Sequence, residues 1–362
     1  MSTTAKTAAW PDRRLLDLFG IELPIIQAPM AGASTAQMAI EVAEAGGLGS
    51  LPCALMAPDQ ARQALEIIRQ ATGKPINLNF FSHTPPAFNE AEIAAWVTKL
   101  APYYAEQQID PNAPIPVSNR APFDDAYCAL VERFKPEVVS FHFGLPEKSL
   151  LERVRATGAK IISSATTVVE ARWLEERGVD AIIAMGTEAG GHYGHFLSDK
   201  PSQIGLFALL PQIVDAVKVP VIAAGGIADG RGIAAAFMLG ASAAQIGTAY
   251  LLSPEAKVQP FHRQALKSAQ PEDTALTNLF SGRPARGIMN RVMREIGPVS
   301  DIAPAFPLAG GALMPLRAKT EAAGLSDFSN MWSGQAARLA KELPAGELTK
   351  QLAQEALAKL GR

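Results

Sequence analysis

A chain of 362 residues, 48% of them hydrophobic, can bury a sizeable core, and a net charge of -2 with no Lys/Arg block argues against nucleic acid or an anionic membrane as the main partner. Cys53 and Cys128 stand far apart and outside any C-x-x-C, so neither a disulfide framework nor a thiolate metal site is indicated, which fits a reducing, cytoplasmic setting. Asp17 and Glu22 interrupt the N-terminal apolar run, and glycines interrupt Ile233 to Leu252, against a secretory signal and a membrane span; the expected ligand is a small molecule.

In chain order, a short helix around Arg13 to Phe19 precedes an apolar strand, Pro24 to Met30. Thr35 is placed to cap a helix running to about Ala45, and Gly46-Gly47 stops it. Leu48 to Leu51 predicts a second strand, Pro58 to Thr72 a helix, and Ile76 to Phe80 a third strand. A long excursion, 82–134, follows. Its Pro-rich middle (Pro111, Pro114, Pro116) joins two predicted helices, which reads as an irregular cover over one end of the fold.

Alternation resumes with a strand at Val138 to Phe143, a helix at Glu147 to Thr157, a strand at Lys160 to Ala165 and a helix at Val168 to Arg177. Ala181 to Met185 is the sixth strand; a glycine-rich loop, Gly186 to Gly194, leads to a helix at Leu206 to Val217. Val221 to Ala224, a helix opening near Asp229 and Gly230, and a strand ending in Gln245-Ile246-Gly247-Thr248 complete the set. Eight short strands alternating with helices predict an α/β fold, a (β/α)8 TIM barrel with an insertion after strand 3 and a C-terminal helical cap. The barrel is drawn as 12–265, including the inserted segment 82–134, and the cap as 266–362.

Active sites of such barrels lie at the C-terminal strand ends, with phosphate commonly held after strands seven and eight. Gly225-Gly226 and Gly247-Thr248 fall at those two positions, where backbone N–H groups can approach an anion without a Cβ in the way. Few other strand-end residues are charged, which suits a flat phosphorylated cofactor such as FMN. GGIADGRG lacks the G-x-G-x-x-G spacing, so no dinucleotide domain is indicated. His142 ends strand four on the same face as Val138 and Ser140, the barrel interior, where a neutral imidazole can accept a proton. His192 and His195, as H-x-x-H without a carboxylate cluster, are not read as a metal site; His192 is expected to shape the phosphate loop. His83 and His262 belong to no evident constellation, and Tyr103, Tyr104 and Trp332 are either packing residues or pocket walls.

PIIQAPMAG (24–32), SFHFG (140–144), GTEAGGHYG (186–194), PVIAAGGIADGRG (220–232), QIGT (245–248) and MWSGQAARLAKEL (331–343) together resemble the nitronate monooxygenases, formerly 2-nitropropane dioxygenases, FMN-dependent (β/α)8 enzymes. The resemblance implies FMN held by Ala28, Pro29, Met30 and Asn79 at the ring and by Gly190, Gly226, Gln245, Gly247 and Thr248 towards the phosphate. It implies His142 as the catalytic base, oxidation of alkyl nitronates with O2 to a carbonyl compound and nitrite, propionate 3-nitronate as the type of substrate, and a detoxifying role. The tail resembles the family's closing W/Y-x-G-Q helix. Met185 and Tyr193 depart from the family's glutamine and arginine, and 111–120 differs from its compact members. NAD(P)H-dependent quinone or enoyl-ACP reductases on the same fold are the alternative.

Overall fold

The computed structural model describes residues 10–110, 113–116 and 120–362; Pro111 lies outside them. After α1 (Arg14–Phe19), the first half alternates β1 (Ile25–Gln27), α2 (Ala36–Glu44), β2 (Gly49–Pro52), α3 (Pro58–Ala71) and β3 (Ile76–Phe81). The excursion contains α4 (Glu90–Glu106) and α5 (Asp125–Phe134), with Pro114 and Pro116 in the irregular connection between them. Then come β4 (Val138–His142), α6 (Lys148–Ala156), β5 (Lys160–Ala165), α7 (Val168–Glu176), β6 (Ala181–Met185) and a two-residue strand β7 (Gly191–His192). The chain continues through α8 (Leu206–Ala216), β8 (Val221–Ala224), α9 (Gly230–Met238), β9 (Ala243–Ile246) and α10 (Pro260–Ser268). It ends with β10 (Thr274–Thr277), β11 (Ala285–Ile288), α11 (Arg291–Ile296), α12 (Gly310–Ala322) and α13 (Ala345–Lys359).

Eight strands form one parallel sheet in the order β1-β9-β8-β6-β5-β4-β3-β2. Between β1 and β2, Gln27 N donates to Leu48 O (3.0 Å) and Leu48 N to Ile25 O (2.9 Å), closing the ring. The barrel is therefore as predicted. Its strands are buried almost throughout, because helices cover the outside and side chains fill the inside.

Several helix starts are fixed by a capping side chain. Thr35 caps α2, its hydroxyl accepting from Met38 N at 3.2 Å; Thr167 and Asp229 do the same for α7 and α9. Such caps stabilise a helix by about 1 kcal/mol each, and here they also set where each strand-to-helix loop ends.

Packing groups the chain differently from the division drawn at residue 265. Of the two helices in the excursion, α5 packs on α3 and α6 in the outer ring, whereas α4 packs on α12. Trp96, Leu100 and Tyr104 of α4 share a core with Leu279, Leu313 and Phe328, and the polar tips of Trp96 and Tyr104 donate to Ala309 O (2.9 Å) and Ala312 O (2.6 Å). Conversely α13 lies against α2 and α9. Its Thr349 hydroxyl meets the buried Tyr250 Oη at 2.7 Å, and Leu348 and Leu352 join the barrel core. The last helix thus stands in the barrel wall, because its apolar stripe fits the gap left between the first and last βα units.

A second sheet, β10-β11-β7, is antiparallel and joins the cap to the barrel. The glycine-rich loop after β6 supplies β7, so that loop is an edge strand for the hairpin above it.

Candidate active site

One cavity of about 370 Å³ opens at the C-terminal ends of the barrel strands. All the sequence-derived candidates line it: Ala28, Pro29 and Met30 after β1, Asn79 in β3, His142 at the end of β4, Gly190 after β6, Gly226 after β8, Gln245 in β9, and Gly247 and Thr248 beyond it. The loop after β1 is held from beneath. Gln27 Oε1 accepts from Ser50 N (2.9 Å), its amide donates to Ser34 Oγ (2.8 Å), and Ala28 N donates to Ile246 O (2.8 Å). Gln27 is therefore a buried fastener. The pairing of β1 with β9 also brings Met30 beside Gly247, whose added Cβ would stand 3.7 Å from the Met30 sulfur.

The geometry of the last two strand ends fits a phosphorylated, amide-reading cofactor. Gly225 and Gly226 have φ of +116° and +68°, conformations that L side chains rarely adopt, so the turn keeps backbone at the cavity wall. Gln245 Oε1 is buried without a hydrogen-bond partner. A buried acceptor in that condition costs free energy until a donor arrives, and a ring edge bearing N–H groups supplies one. Asn79 is oriented by its own amide, which donates to Ser140 Oγ at 3.0 Å. The residues present thus suit FMN. Gly226→Asp is expected to lower the flavin retained per folded protein by roughly tenfold or more, since like charges about 4 Å apart repel by about 1 kcal/mol in water and about 4 kcal/mol near a protein surface. Flavin absorbance after gel filtration checks this; wild-type occupancy in the folded variant would remove Gly226 from the phosphate site.

At another wall of the cavity stands a histidine and aromatic cluster. His142 Nδ1 meets Ser164 Oγ at 2.8 Å and Nε2 meets the His192 carbonyl oxygen at 3.0 Å. Since a carbonyl only accepts, Nε2 carries the proton and Nδ1 holds the lone pair towards the Ser164 hydroxyl. Gly194 makes room for this ring: a Cβ there would stand 2.7 Å from His142 Cε1. Burial holds the His142 pKa down at about 4, and the Arg283 charge adds to the shift, so the ring is neutral at pH 7.

His192, expected to shape the phosphate loop, has its ring 5.5 Å from Trp332 and 5.4 Å from Phe306, with Nε2 on Ser281 Oγ at 2.9 Å, on the same cavity wall as His142. Burial and the Arg120 charge hold it well below its ordinary pKa. His83 and His262, which fit no sequence pattern, both belong here. His83 is buried edge-on against Phe306 (4.7 Å) with Nδ1 unpartnered, and His262 lines the cavity with Nε2 on Trp332 O at 3.0 Å. No spacing rule could have found them, since residues 83 and 262 meet the site only through the excursion and the cap. Trp332 proves to be a cavity wall; Tyr103 and Tyr104 pack in the cap core. Met185 lines the cavity, whereas Tyr193 is fully buried, its hydroxyl 2.9 Å from Ser202 Oγ.

The tail 331–343, which resembles the family's closing helix, holds no α-helix: 331–334 is non-helical with a bridge at Trp332, 335–336 is a turn, and a single 3-10 turn follows at Ala337–Leu339. Its backbone is claimed from three sides: Gly334 N donates to Thr248 Oγ1 (2.9 Å), Gln335 N to Glu188 O (3.0 Å) and Ser333 N to Arg286 O (3.2 Å). These bonds seat the cap directly on the glycine turns. Among the described residues no group of three or more His, Cys, Asp or Glu side chains could hold a metal ion, and no helix is long and apolar enough to cross a membrane.

Comparison with known proteins adds an independent line. The model of the family described as nitronate monooxygenase matches residues 12–355. The nitronate monooxygenase of Paraburkholderia phytofirmans is 42% identical over 347 residues, covering 95% of this chain and 94% of that protein. The structure of a nitroalkane oxidase from Streptomyces ansochromogenes superposes with a TM-score of 0.86 at 39% identity, over 96% of this chain and 99% of that one. FabK from Thermotoga maritima is more distant, with a TM-score of 0.72 at 29% identity over 98% of both chains.

Proposed function

The chain belongs to the nitronate monooxygenase family and is a flavin-type oxidoreductase; from that premise we propose that it binds FMN and oxidises alkyl nitronates of the propionate 3-nitronate type with O2 to a carbonyl compound and nitrite. The observation that carries this reading is one cavity with two glycine turns at β8 and β9 and neutral histidines on another wall. The bound flavin supplies the redox chemistry. The chain's own residues orient it: Gln245 and Asn79 offer amides, Gly226, Gly247 and Thr248 form the cradle, and Trp332 with the cap shields the cavity from water. We read the physiological role as detoxification in the cytoplasm.

His142 is the proposed base for substrates that arrive as neutral nitroalkanes. Its working atom is Nδ1, and Ser164, which also lines the cavity, connects that atom to the substrate space. Both nitrogens of His142 are engaged within the protein, an observation that favours His192 as a second reading for the proton acceptor.

The cofactor released from yellow protein is expected to have the mass of FMN at about one per chain; stoichiometric FAD, or no flavin, defeats the proposal. Anaerobic mixing then separates oxidase from reductase. Flavin bleaching by a nitronate but not by NADH or NADPH supports the nitronate reading, and rapid bleaching by the nicotinamide alone turns the assignment to the quinone or enoyl-ACP reductase alternative.

A further inference from the structure

Arg283 stands behind the histidine wall, in the turn between β10 and β11, outside the lining of the cavity. Two segments distant in sequence meet on its guanidinium. From one side comes Phe143, whose ring centroid lies 4.2 Å from Arg283 Cζ. From the other, the His195 carbonyl oxygen accepts from Nη2 at 2.6 Å. These are the two segments that fix His142. Phe143 follows it directly after β4, and the stretch from His192 to His195 carries the His192 carbonyl oxygen that accepts its Nε2 proton at 3.0 Å.

The turn after β4 needs such a hold. Phe143 has φ of +72°, a backbone conformation that a bulky residue rarely adopts, and Gly144 follows at +88°. A turn of this kind persists only where its surroundings over-determine it. Ser163 Oγ lies 2.9 Å from the Gly144 carbonyl oxygen, and the rings of Phe81 and Phe306 pack 5.0 Å and 5.4 Å from that of Phe143. Arg283 then ties the turn to the loop across from it. The guanidinium is half-buried, and a cation over an aromatic face is held more strongly as water is excluded. The carboxylate that acts on it, Glu170, is itself bound by Thr166 N and Phe196 N, each at 2.7 Å. After burial, the Arg283 charge also disfavours protonation of His83, His142 and His195. The titratable neighbours of His142, His192 and His195, are neutral rings as well.

We propose that Arg283 is a positioning residue for proton transfer: by holding Phe143 and the His195 carbonyl together, it keeps His142 where Nε2–H meets His192 O and Nδ1 turns its lone pair to Ser164. The inference rests on the reading of His142 as the base for neutral nitroalkanes. Arg283 acts through His142, since it does not line the cavity. Without the clamp the turn and the loop separate, and Nε2 loses its fixed acceptor. The imidazole then also takes the form with its proton on Nδ1, which has no lone pair on the Ser164 side.

The test uses flavin-loaded protein with isotope-labelled histidine, and two probes, 1-nitropropane and its pre-formed nitronate. Ring-nitrogen NMR, with the His142 signals assigned from their loss in H142N, should show one Nε2–H form in wild type and both tautomers in R283M. Turnover of 1-nitropropane should fall roughly 10–100-fold in R283M, the range that a misplacement of about 1 Å produces, and turnover of the nitronate much less. R283K, which keeps a cation over the ring and a donor for the carbonyl, should recover part of both. Because Arg283 works through Phe143, R283M introduced into F143L should cost less than R283M in wild type. A single Nε2–H form in R283M with an unchanged ratio of the two activities overturns the proposal. Equal losses on both probes, or a loss in R283K as full as in R283M, also overturn it. Should R283M not fold, R283K and F143L decide by the same readouts, and wild-type tautomer and ratio in both overturn it. If wild type oxidises neither probe, the nitronate reading fails, and the tautomer comparison still decides whether Arg283 positions His142.

Discussion

Replacing His142 with asparagine is expected to lower turnover of a neutral nitroalkane by roughly 10²–10⁴-fold, the usual contribution of a general base, and to lower turnover of the pre-formed nitronate much less. The difference arises because the neutral form must lose an α-proton before it can be oxidised, whereas the nitronate arrives without it. Asparagine keeps a polar group of similar reach but has no lone pair of comparable basicity. Ser164→Ala should reproduce part of the same selective loss, since it removes the hydroxyl facing Nδ1 and leaves the Nε2 bond to His192 O intact. His192→Asn provides the contrast. If that variant alone loses the neutral substrate selectively, His192 is the base and His142 its support. Equal losses on both substrate forms in H142N make His142 a binding or structural residue. The comparison is made at matched pH and flavin content, with wild-type activity on both forms as the reference.

Acidification from pH 7 to pH 5 is expected to cost about 2–5 kcal/mol of folding stability. The cause is the set of histidines kept neutral inside the site. Burial holds His83, His142 and His262 down at about 4, and holds His192 well below its ordinary value. In the unfolded chain these rings take up protons near pH 6.5, while in the folded protein they do not until about pH 4. The unfolded state therefore binds more protons across that window. The stability is fully present above about pH 6.5 and falls as pH drops towards 4, by at most about 1.4 kcal/mol per pH unit for each histidine. Urea unfolding at pH 7, 6 and 5 measures this directly. His83→Phe should flatten the slope, because His83 is a buried ring set among Phe81, Phe143 and Phe306 with no partner on Nδ1. A flat profile between pH 7 and 5, or an unchanged slope in H83F, would show that these rings are not held neutral.

Local signals carried much of the site. Gly225-Gly226 and Gly247-Thr248 were readable because a strand that ends in glycine has few uses, and two such ends separated by one helix have fewer. His142 was readable from alternation along β4, which puts it on the face of Ser140. Met30 and Gln245 followed from their place at strand ends. In each case the informative neighbours are within a few residues, and the barrel converts sequence position directly into a place on the rim.

The sequence by itself determined the barrel, its strand order and the ring of residues at the strand ends, since period, capping residues and turn glycines act over one βα unit at a time. Tertiary structure alone decided the rest. His83 and His262 reach the site by way of segments whose local patterns say nothing about the barrel rim. Residues 333–335 are held out of a helix because Thr248, Glu188 and Arg286 take their backbone N–H groups, a competition that local helix propensity does not register. α13 enters the barrel wall because its apolar stripe finds the groove between α2 and α9, and amphipathic pattern announces that a helix will be buried without announcing against what.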